Sequence, residues 1–268
     1  MTKHRHGFSI VELLIIIAVV AILGVLGKLA YDKFLRTDLR EDKQVSVEKK
    51  SFDKTPIKSL GFNLDYYDPA TNKAGDFQFT KEPIYDGYLF GNYGKAAANP
   101  GPNGEKDMSP QSSFLLPLGT KVHSIVDGVV YDVKQLYSGD YSIQVDVGND
   151  AIYYEMEHVM NPLVKKGDRV TAGQIVAEVS THNSKNNAGL GMFEVGVLQH
   201  GNPPYHLCFF DHLDESVKAD LDKKILAFYK SWEEYVSDDS IYDEAAMPTP
   251  GCDSREPISD TNDYRKES

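Results

Sequence analysis

The chain has 268 residues, of which 41% are hydrophobic, and a formal net charge of -12 at pH 7. This length accommodates one apolar helix together with a domain large enough to bury a core of its own. The excess of negative charge disfavours direct binding to nucleic acid, so we expect no nucleic-acid partner.

The N-terminus combines a short basic leader, a Gly7-Phe8 junction and a long apolar run that contains Glu12 near its start. A charge at the centre of a membrane helix costs roughly 2.5 to 3.5 kcal/mol on insertion scales, and less near an interface, so it is normally kept only for a function. If the chain is cut after Gly7, Phe8 acquires a free α-amine. Glu12 then lies one helical turn away, where it can pair with that amine or with the amine of a neighbouring copy.

These residues resemble the N-terminus of type IV pilins and pseudopilins, and Ala30-Tyr31 also falls where pilins often carry an Ala-Tyr pair. The resemblance implies that a prepilin peptidase cleaves after Gly7 and methylates Phe8, and that Glu12 sets the register of helices in a filament core. It also implies contacts with other pilin subunits and with the inner-membrane assembly machinery. Leu29 departs from the family, because many pilins have a Pro before the Ala-Tyr pair.

A secretory signal and a plain membrane anchor are the two alternatives for this segment. A secretory signal needs a small-residue cleavage site after its apolar core, and residues 24–28 supply none that is persuasive. A plain anchor leaves Glu12 unexplained. Because Lys3 and Arg5 precede the apolar run, we expect a single-pass inner-membrane protein with its C-terminus outside the cytoplasm, which then enters a pilus or pseudopilus.

Pattern changes predict an α+β protein with a long N-terminal helix, an all-β domain and a C-terminal amphipathic helix. Residues 115–197 read as short strands separated by turns, and apolar residues from Val217 to Tyr235 recur at steps of three or four. Short strands are expected at residues 77–80 and 85–90, before a turn at residues 99–107. The predicted segments are a leader (1–7), a transmembrane pilin helix (8–50), a loop-rich connector (51–108), a β domain (109–210), an amphipathic helix (211–236) and an acidic tail (237–268).

The sequence contains two cysteines, Cys208 and Cys252. In an oxidising compartment they can form a disulfide that holds the acidic tail against the domain. The alternative is two unrelated thiols, one of them a buried small hydrophobe. Such a bridge is similar to the C-terminal disulfide loop of many pilins. We expect the tail to be poorly ordered unless Cys252 is tied down.

The β domain resembles the LytM or lysostaphin-type zinc endopeptidases, which cut peptidoglycan cross-bridges. The resemblance rests on PLGTKV with VDGVV (117–122 and 126–130), on VKKGDRV with AGQIV (164–170 and 172–176), and on FEV (193–195). These segments supply turns and packed strands, so they imply the fold more readily than the activity.

The residues at the family's site positions argue against hydrolysis. A hydrolytic zinc site needs three protein ligands from His, Asp, Glu or Cys, plus an open position for water. Counting along the resemblance, the ligand positions hold Ser109, Ser113 and Met192, and Leu190 replaces a further catalytic His. His158 remains at the position of a catalytic His, where we expect it to be structural. The resemblance therefore predicts a degenerate peptidase domain with no catalytic residue, no metal and no cofactor.

Other chemistries find less support. Other residues of types that can bind a metal ion are present, but they show no compact spacing such as two His one helical turn apart. These residues are Glu155, Glu157, His158, His123, His182, His200 and His206. Residues 164–179 are also similar to biotinyl and lipoyl carrier domains, but the nearest upstream turn, at residues 154–158, lacks a modifiable Lys. No Gly-rich phosphate loop, nucleophile elbow or Cys-His signature occurs.

The sequence thus predicts a pilin-like subunit, minor rather than major, that displays an inactive peptidase-like domain toward peptidoglycan or a surface ligand. Two alternatives stay open. One is an active cell-wall zinc endopeptidase on a pilin-type anchor, and the other is a membrane-retained peptidoglycan binder that regulates other hydrolases. The sequence does not separate a pilus from a secretion pseudopilus or a DNA-uptake filament.

Overall fold

The computed structural model describes residues 56–96, 108–149 and 151–259. The described residues all belong to one compact unit, Phe52–Ser268. The predicted pilin helix, with Gly7, Phe8 and Glu12, lies outside the described residues, as does the predicted turn at residues 99–107. Within the described part of the chain, no helix is long and apolar enough to cross a membrane.

Strands make up most of the regular secondary structure of the described residues. They are β1 (Tyr67–Asp68), β2 (Lys73–Ala74), β3 (Phe77–Gln78), β4 (Phe90–Gly91), β5 (Ser112–Leu116), β6 (Lys121–His123), β7 (Gly128–Gln135), β8 (Tyr141–Asp146), β9 (Ile152–Met160), β10 (Arg169–Val170), β11 (Ile175–Val179), β12 (Gly191–Gln199), β13 (Tyr205–Leu207) and β14 (Ile258–Ser259). One α-helix, α1 (Glu215–Val236), follows β13.

Two antiparallel sheets result from these strands. The first is a small meander of β1, β2 and β3, and the second runs β10-β7-β8-β9-β12-β13-β14. Four further pairings branch from the second sheet: β11 pairs with the end of β9 and with β6, while β5 pairs with β12 and with β4. Neighbouring antiparallel strands can be linked by tight turns. The predicted β domain with a C-terminal helix is confirmed.

Helix α1 packs an aromatic face on the sheet. Its N-cap is Asp214, whose carboxylate accepts a hydrogen bond from the Ser216 backbone N–H at 2.8 Å, satisfying an otherwise unpaired donor of the first turn. Ile225, Phe228 and Trp232 are buried, in agreement with the predicted apolar stripe. The stripe therefore belongs to the hydrophobic core.

The predicted connector supplies aromatic side chains to the same core. The ring of Phe62 lies 4.6 Å from that of Phe114 on β5, and the ring of Phe77 lies 4.5 Å from that of Phe228 on α1. The strand predicted at residues 85–90 is realised only at its end, in β4. Its first part is a turn, in which Gly87 has φ 75° and donates a backbone hydrogen bond to Ile84.

A disulfide joins Cys208 to Cys252, the first of the two alternatives that the sequence left open. Both cysteines are buried, and the segment between them includes α1 and the start of the acidic tail. Tyr242, in this tail, stacks on Tyr229 of α1 with ring centroids 3.9 Å apart. The tail is thus packed against the domain as far as β14, which pairs with β13.

Candidate functional site

The candidate site lies where strands β9 and β12 separate. The two strands pair from Ile152 to Glu157, and the last pair places Glu157 opposite Glu194. Beyond it, Val159 turns to pair with Val179 of β11 instead. On the other side of β12, Glu194 pairs with Ser113 of β5. A change of partner of this kind opens room between strands for side chains.

A β-bulge at Glu157 and His158 directs both side chains into this opening. Tyr141 pairs with Val159 and Ile143 pairs with Met156, so two residues of β9 oppose one residue of β8. His158 adopts φ 57°, in the left-handed region, which costs about 1–2 kcal/mol for a residue with a Cβ. Bulges commonly re-aim a side chain in this way.

His158 is held on one side by Asp140. Its Nδ1 lies 3.0 Å from Asp140 Oδ2, and Ser180 Oγ donates to the same oxygen at 2.6 Å. Ser138 donates to the other carboxylate oxygen. Burial acts to raise the pKa of Asp140, but the hydrogen bonds from His158 and the two serines outweigh it and hold that pKa well below its usual value. Asp140 is therefore a buried carboxylate anion.

The opposite edge of the ring faces Glu194, and Glu157 lies close by. His158 Nε2 lies 3.5 Å from Glu194 Oε2, and Glu157 belongs to the same group of neighbouring atoms. Burial acts to lower the pKa of His158, but the hydrogen bond to Asp140 and the charges of Glu194 and Glu157 raise it to about 10. With no metal bound, His158 is an imidazolium at neutral pH.

Glu157 takes part in a buried polar network with Glu155. Gln111 Nε2 donates to Glu157 at 2.9 Å and to Glu155 at 3.3 Å. Ser142 and Gln144 donate to the second oxygen of Glu155, at 2.5 and 2.9 Å. Burial, together with the charges of Glu155 and Glu194, raises the pKa of Glu157 well above its usual value. Glu157 is therefore harder to ionise than an exposed glutamate.

His182 covers the ring of His158. The two imidazoles are parallel, with centroids 3.5 Å apart and an interplanar angle of 3°. Burial and the positive charge of His158 lower the pKa of His182. A neutral His182 on a charged His158 avoids repulsion between two stacked cations.

The structure brings part of the predicted degenerate peptidase site to this groove. Ser113 is the β5 neighbour of Glu194, and Met192 lies two residues before Glu194 on β12. The Met192 backbone N–H donates to the carbonyl of His182 at 3.0 Å, and Leu190 is buried just before β12. Ser109 uses its hydroxyl in a hydrogen bond to the Gln111 carbonyl at 2.7 Å.

Residues 112–203, from the start of β5 to the loop before β13, match the family model for peptidase family M23. This segment is an M23 peptidase-family domain. The predicted resemblance to LytM and lysostaphin-type peptidases is thereby confirmed at the level of the family. Residues 2–27 match the prokaryotic N-terminal methylation motif. The chain therefore combines a type IV pilin signal with an M23 domain.

Several solved structures are similar to part of this chain. The solution structure of lysostaphin is 20% identical over 46% of this chain and 49% of its own, with a TM-score of 0.35. A variant catalytic domain of the prophage-encoded M23 protein EnpA from Enterococcus faecalis is 20% identical over 48% of this chain and 91% of its own (TM-score 0.35). A zinc-containing peptidase from Vibrio cholerae is 22% identical over 55% and 39%, with a TM-score of 0.34.

The chain spans about half the length of the lysostaphin structure. No curated protein matches the chain.

The acidic residues around His158 were not identified as a site from the sequence. Asp140 comes from the turn before β8, Glu157 from the β9 bulge and Glu194 from β12. These three residues are far apart in the sequence, and only the pairing of the strands brings them together. Glu194 lies within the FEV segment (193–195), on which the family resemblance partly rests, and this was the only indication in the sequence that Glu194 is near the site.

Proposed function

We propose that this protein is a type IV pilin-like subunit that enters a filament through its N-terminal helix and displays an M23 domain without peptidase activity. The observation that carries the proposal is the co-occurrence, in one chain, of the methylation motif at residues 2–27 and the M23 domain at residues 112–203. The motif implies processing by prepilin peptidase, and the size of the displayed domain favours a minor subunit.

Assembly would depend on the charge pair described from the sequence. Cleavage after Gly7 creates the Phe8 amine, and Glu12 is placed to neutralise such an amine while both are removed from water. A buried ion pair of this kind favours one register, because breaking it leaves an uncompensated charge in an apolar surrounding. The apolar helices themselves associate by packing within the membrane and filament.

The lack of peptidase activity is supported by the donor set at the positions that the family resemblance assigns to zinc. Zinc in proteins is bound by Cys, His, Asp or Glu, whereas these positions hold the hydroxyls of Ser109 and Ser113 and the thioether of Met192. The Ser109 hydroxyl is already engaged with the Gln111 carbonyl, and Met192 Sδ contacts Asn183 Nδ2 at 3.7 Å. These residues therefore do not fit a catalytic zinc.

Assembly is tested by replacing Glu12. Full-length wild type, Glu12→Ala and, as a matched control, Asp38→Ala are expressed in the native host, and sheared filaments and membranes are probed by immunoblot. We expect Glu12→Ala to remain in the membrane fraction and to be lost from filaments, with Asp38→Ala behaving as wild type. Equal amounts of Glu12→Ala and wild type in filaments would refute the role of Glu12.

Processing is tested independently by mass spectrometry of the native protein. A mature chain that begins with methylated Phe8 is expected, and an intact leader in the native host would overturn the pilin assignment. Counting chains per filament by the same method tests the minor-subunit proposal, which a dominant copy number would refute.

Inactivity is tested by restoration. Detergent-purified full chain with added Zn²⁺ is incubated with peptidoglycan, beside a variant that combines Ser109→His, Ser113→Asp, Leu190→His and Met192→His. No release of cross-bridge fragments by the wild type is expected. Cleavage by the wild type would favour the alternative of an active endopeptidase. A wild type that binds sacculi but never leaves the membrane would favour the membrane-retained regulator.

A further inference from the structure

We propose that Glu157, His158 and Glu194 form a binding site for one divalent transition-metal ion, of which Zn²⁺ is the preferred example. This site is separate from the positions that the family resemblance assigns to zinc, and its existence does not depend on filament assembly. It also departs from the sequence-based expectation that no metal binds, which rested on the residues at the family's ligand positions and on spacing along the chain.

The first support is convergence of three ligand atoms. One oxygen of each glutamate and one ring nitrogen of His158 lie within 4.8 Å of one another. His158 Nε2 and Glu194 Oε2 are 3.5 Å apart, longer than the roughly 2.7–2.9 Å of a charge-assisted hydrogen bond. Two ligand atoms that bind one tetrahedral Zn²⁺ at about 2.0–2.1 Å lie about 3.3–3.4 Å apart. The observed separation therefore matches a shared ion better than a direct hydrogen bond.

The second support is the orientation of His158. A metal-binding His almost always donates its other ring N–H to a carboxylate or carbonyl, which fixes the tautomer and the ring direction. Asp140 provides this carboxylate at 3.0 Å from Nδ1 and is itself fixed by Ser138 and Ser180. The arrangement leaves Nε2 directed at the two glutamates, and the side chain of His158 is only 7% exposed.

The third support is the bulge that places the ligands. On a regular strand, consecutive side chains point to opposite faces, so Glu157 and His158 would not reach one ion. The left-handed conformation of His158, with φ 57°, removes that restriction. Strained backbone of this kind persists where the surrounding structure holds it, often at ligand sites.

A second group of neighbouring residues could in principle bind a metal ion, but its geometry is unsuitable. It consists of Asp140, His158 and His182. The rings of His158 and His182 are stacked with an interplanar angle of 3°. The nitrogen lone pairs of parallel rings lie in parallel planes and do not converge on one point. Asp140 is also committed to His158 Nδ1. The ion is therefore assigned to the Nε2 side of His158.

The donor set indicates the class of cation. Imidazole suits Zn²⁺ and its first-row neighbours, whereas Mg²⁺ and Ca²⁺ prefer oxygen ligands alone. The ion would displace the proton on Nε2, since only a neutral ring ligates. Glu194 is partly exposed, with 17% of its side chain accessible, and this gives the ion a path from solvent. By joining β9 to β12 where they separate, the ion would stabilise the groove.

The test measures Zn²⁺ binding by the full chain in detergent, after treatment with a chelator, by calorimetry and by elemental analysis after dialysis. One ion per chain is expected, with Mg²⁺ failing to compete. Glu194→Gln should weaken binding by at least about 100-fold, and Asp140→Asn by about 10–100-fold through loss of ring orientation. Met192→Leu and His182→Gln, the matched controls, should bind as wild type.

Spectroscopy separates a ligand role for Glu194 from a merely structural one. Co²⁺ in place of Zn²⁺ should give a visible d–d spectrum that changes in Glu194→Gln but not in Met192→Leu. Thermal unfolding without metal shows that the variants are folded. The proposal is overturned if the folded wild type takes up no stoichiometric Zn²⁺. It is equally overturned if Glu194→Gln binds like wild type, or if Met192→Leu or His182→Gln abolishes binding.

Discussion

Asp140 and His158 form a buried hydrogen-bonded pair, with 3.0 Å between Oδ2 and Nδ1, although they lie 18 residues apart in the chain. The side chains are 3% and 7% exposed. The pair therefore fixes the turn before β8 against the bulge of β9, and through it the direction in which His158 faces Glu194.

Removal of Asp140 should destabilise the M23 domain strongly. Asp140→Ala leaves a buried His158 and two serine hydroxyls without their acceptor, and breaking a buried pair by deleting one partner typically costs about 3–5 kcal/mol. Urea unfolding of the full chain in detergent measures this loss. The control is Asp220→Ala, since Asp220 pairs with Lys224 on the exposed side of α1, where an ion pair contributes below about 1 kcal/mol. Equal effects of the two changes would contradict the role assigned to Asp140.

Phe228 should be a main contributor to the core that α1 shares with the predicted connector. Its ring lies 4.5 Å from Phe77 and 5.9 Å from Phe90. Phe228→Ala creates a cavity between these elements, which should lower the free energy of unfolding by about 3–5 kcal/mol. Leu226→Ala, two residues earlier and 40% exposed, should cost much less. Denaturant titrations of both variants provide the comparison, and a small effect of Phe228→Ala would mean that the two elements do not share a core.

Loss of the disulfide should weaken the attachment of the acidic tail to the domain. Cys208 and Cys252 close a loop with a sequence separation of 44, for which the chain-entropy model gives about 4 kcal/mol. The Cys208→Ser/Cys252→Ser variant should unfold at lower denaturant and be cut by protease first after α1. Reduced wild type is the matched comparison and should behave as the variant does. Unchanged stability in both would show that the packing of Tyr242 and the pairing of β14 with β13 hold the tail without the disulfide.

Alkaline conditions should unfold the domain through its buried tyrosines. Burial raises the pKa of Tyr93 to about 12, and its hydroxyl donates to the carbonyls of His206 and Glu256. Because this pKa lies above the unfolded value of about 10, the contribution is complete below pH 10 and is lost as pH rises through about 12. The free energy of unfolding should therefore fall over that window.

Tyr93→Phe should flatten the alkaline fall, at a loss near neutral pH of about 0.5–1.5 kcal/mol for the missing hydrogen bond. Tyr85→Phe, at an exposed position (66%), should leave the whole profile unchanged. Circular dichroism during pH titration follows both variants. A profile for Tyr93→Phe that falls as steeply as wild type would assign the alkaline transition to other groups, such as Tyr229 and Tyr242.

The sequence predicted well those features that a local pattern encodes. Apolar residues recur every three or four positions from Val217 to Tyr235, and this pattern predicted α1, because residues at that spacing lie on one face of a helix. Alternating strands and glycine turns indicated the β domain, and the Gly7-Phe8 junction with Glu12 marked the methylation motif. Each of these signals lies within a few consecutive residues.

The tertiary structure decided what lies far apart in the chain. That residues 56–96 join the core could not be read from a loop-rich composition, because Phe62 and Phe77 meet Phe114 and Phe228 only after the sheet forms. The cluster of Glu157, His158 and Glu194 likewise depends on the bulge in β9 and on the pairing of β9 with β12. Local sequence sets backbone preferences and burial patterns, but convergence of ligand atoms is a property of strand register, which only the folded sheet defines.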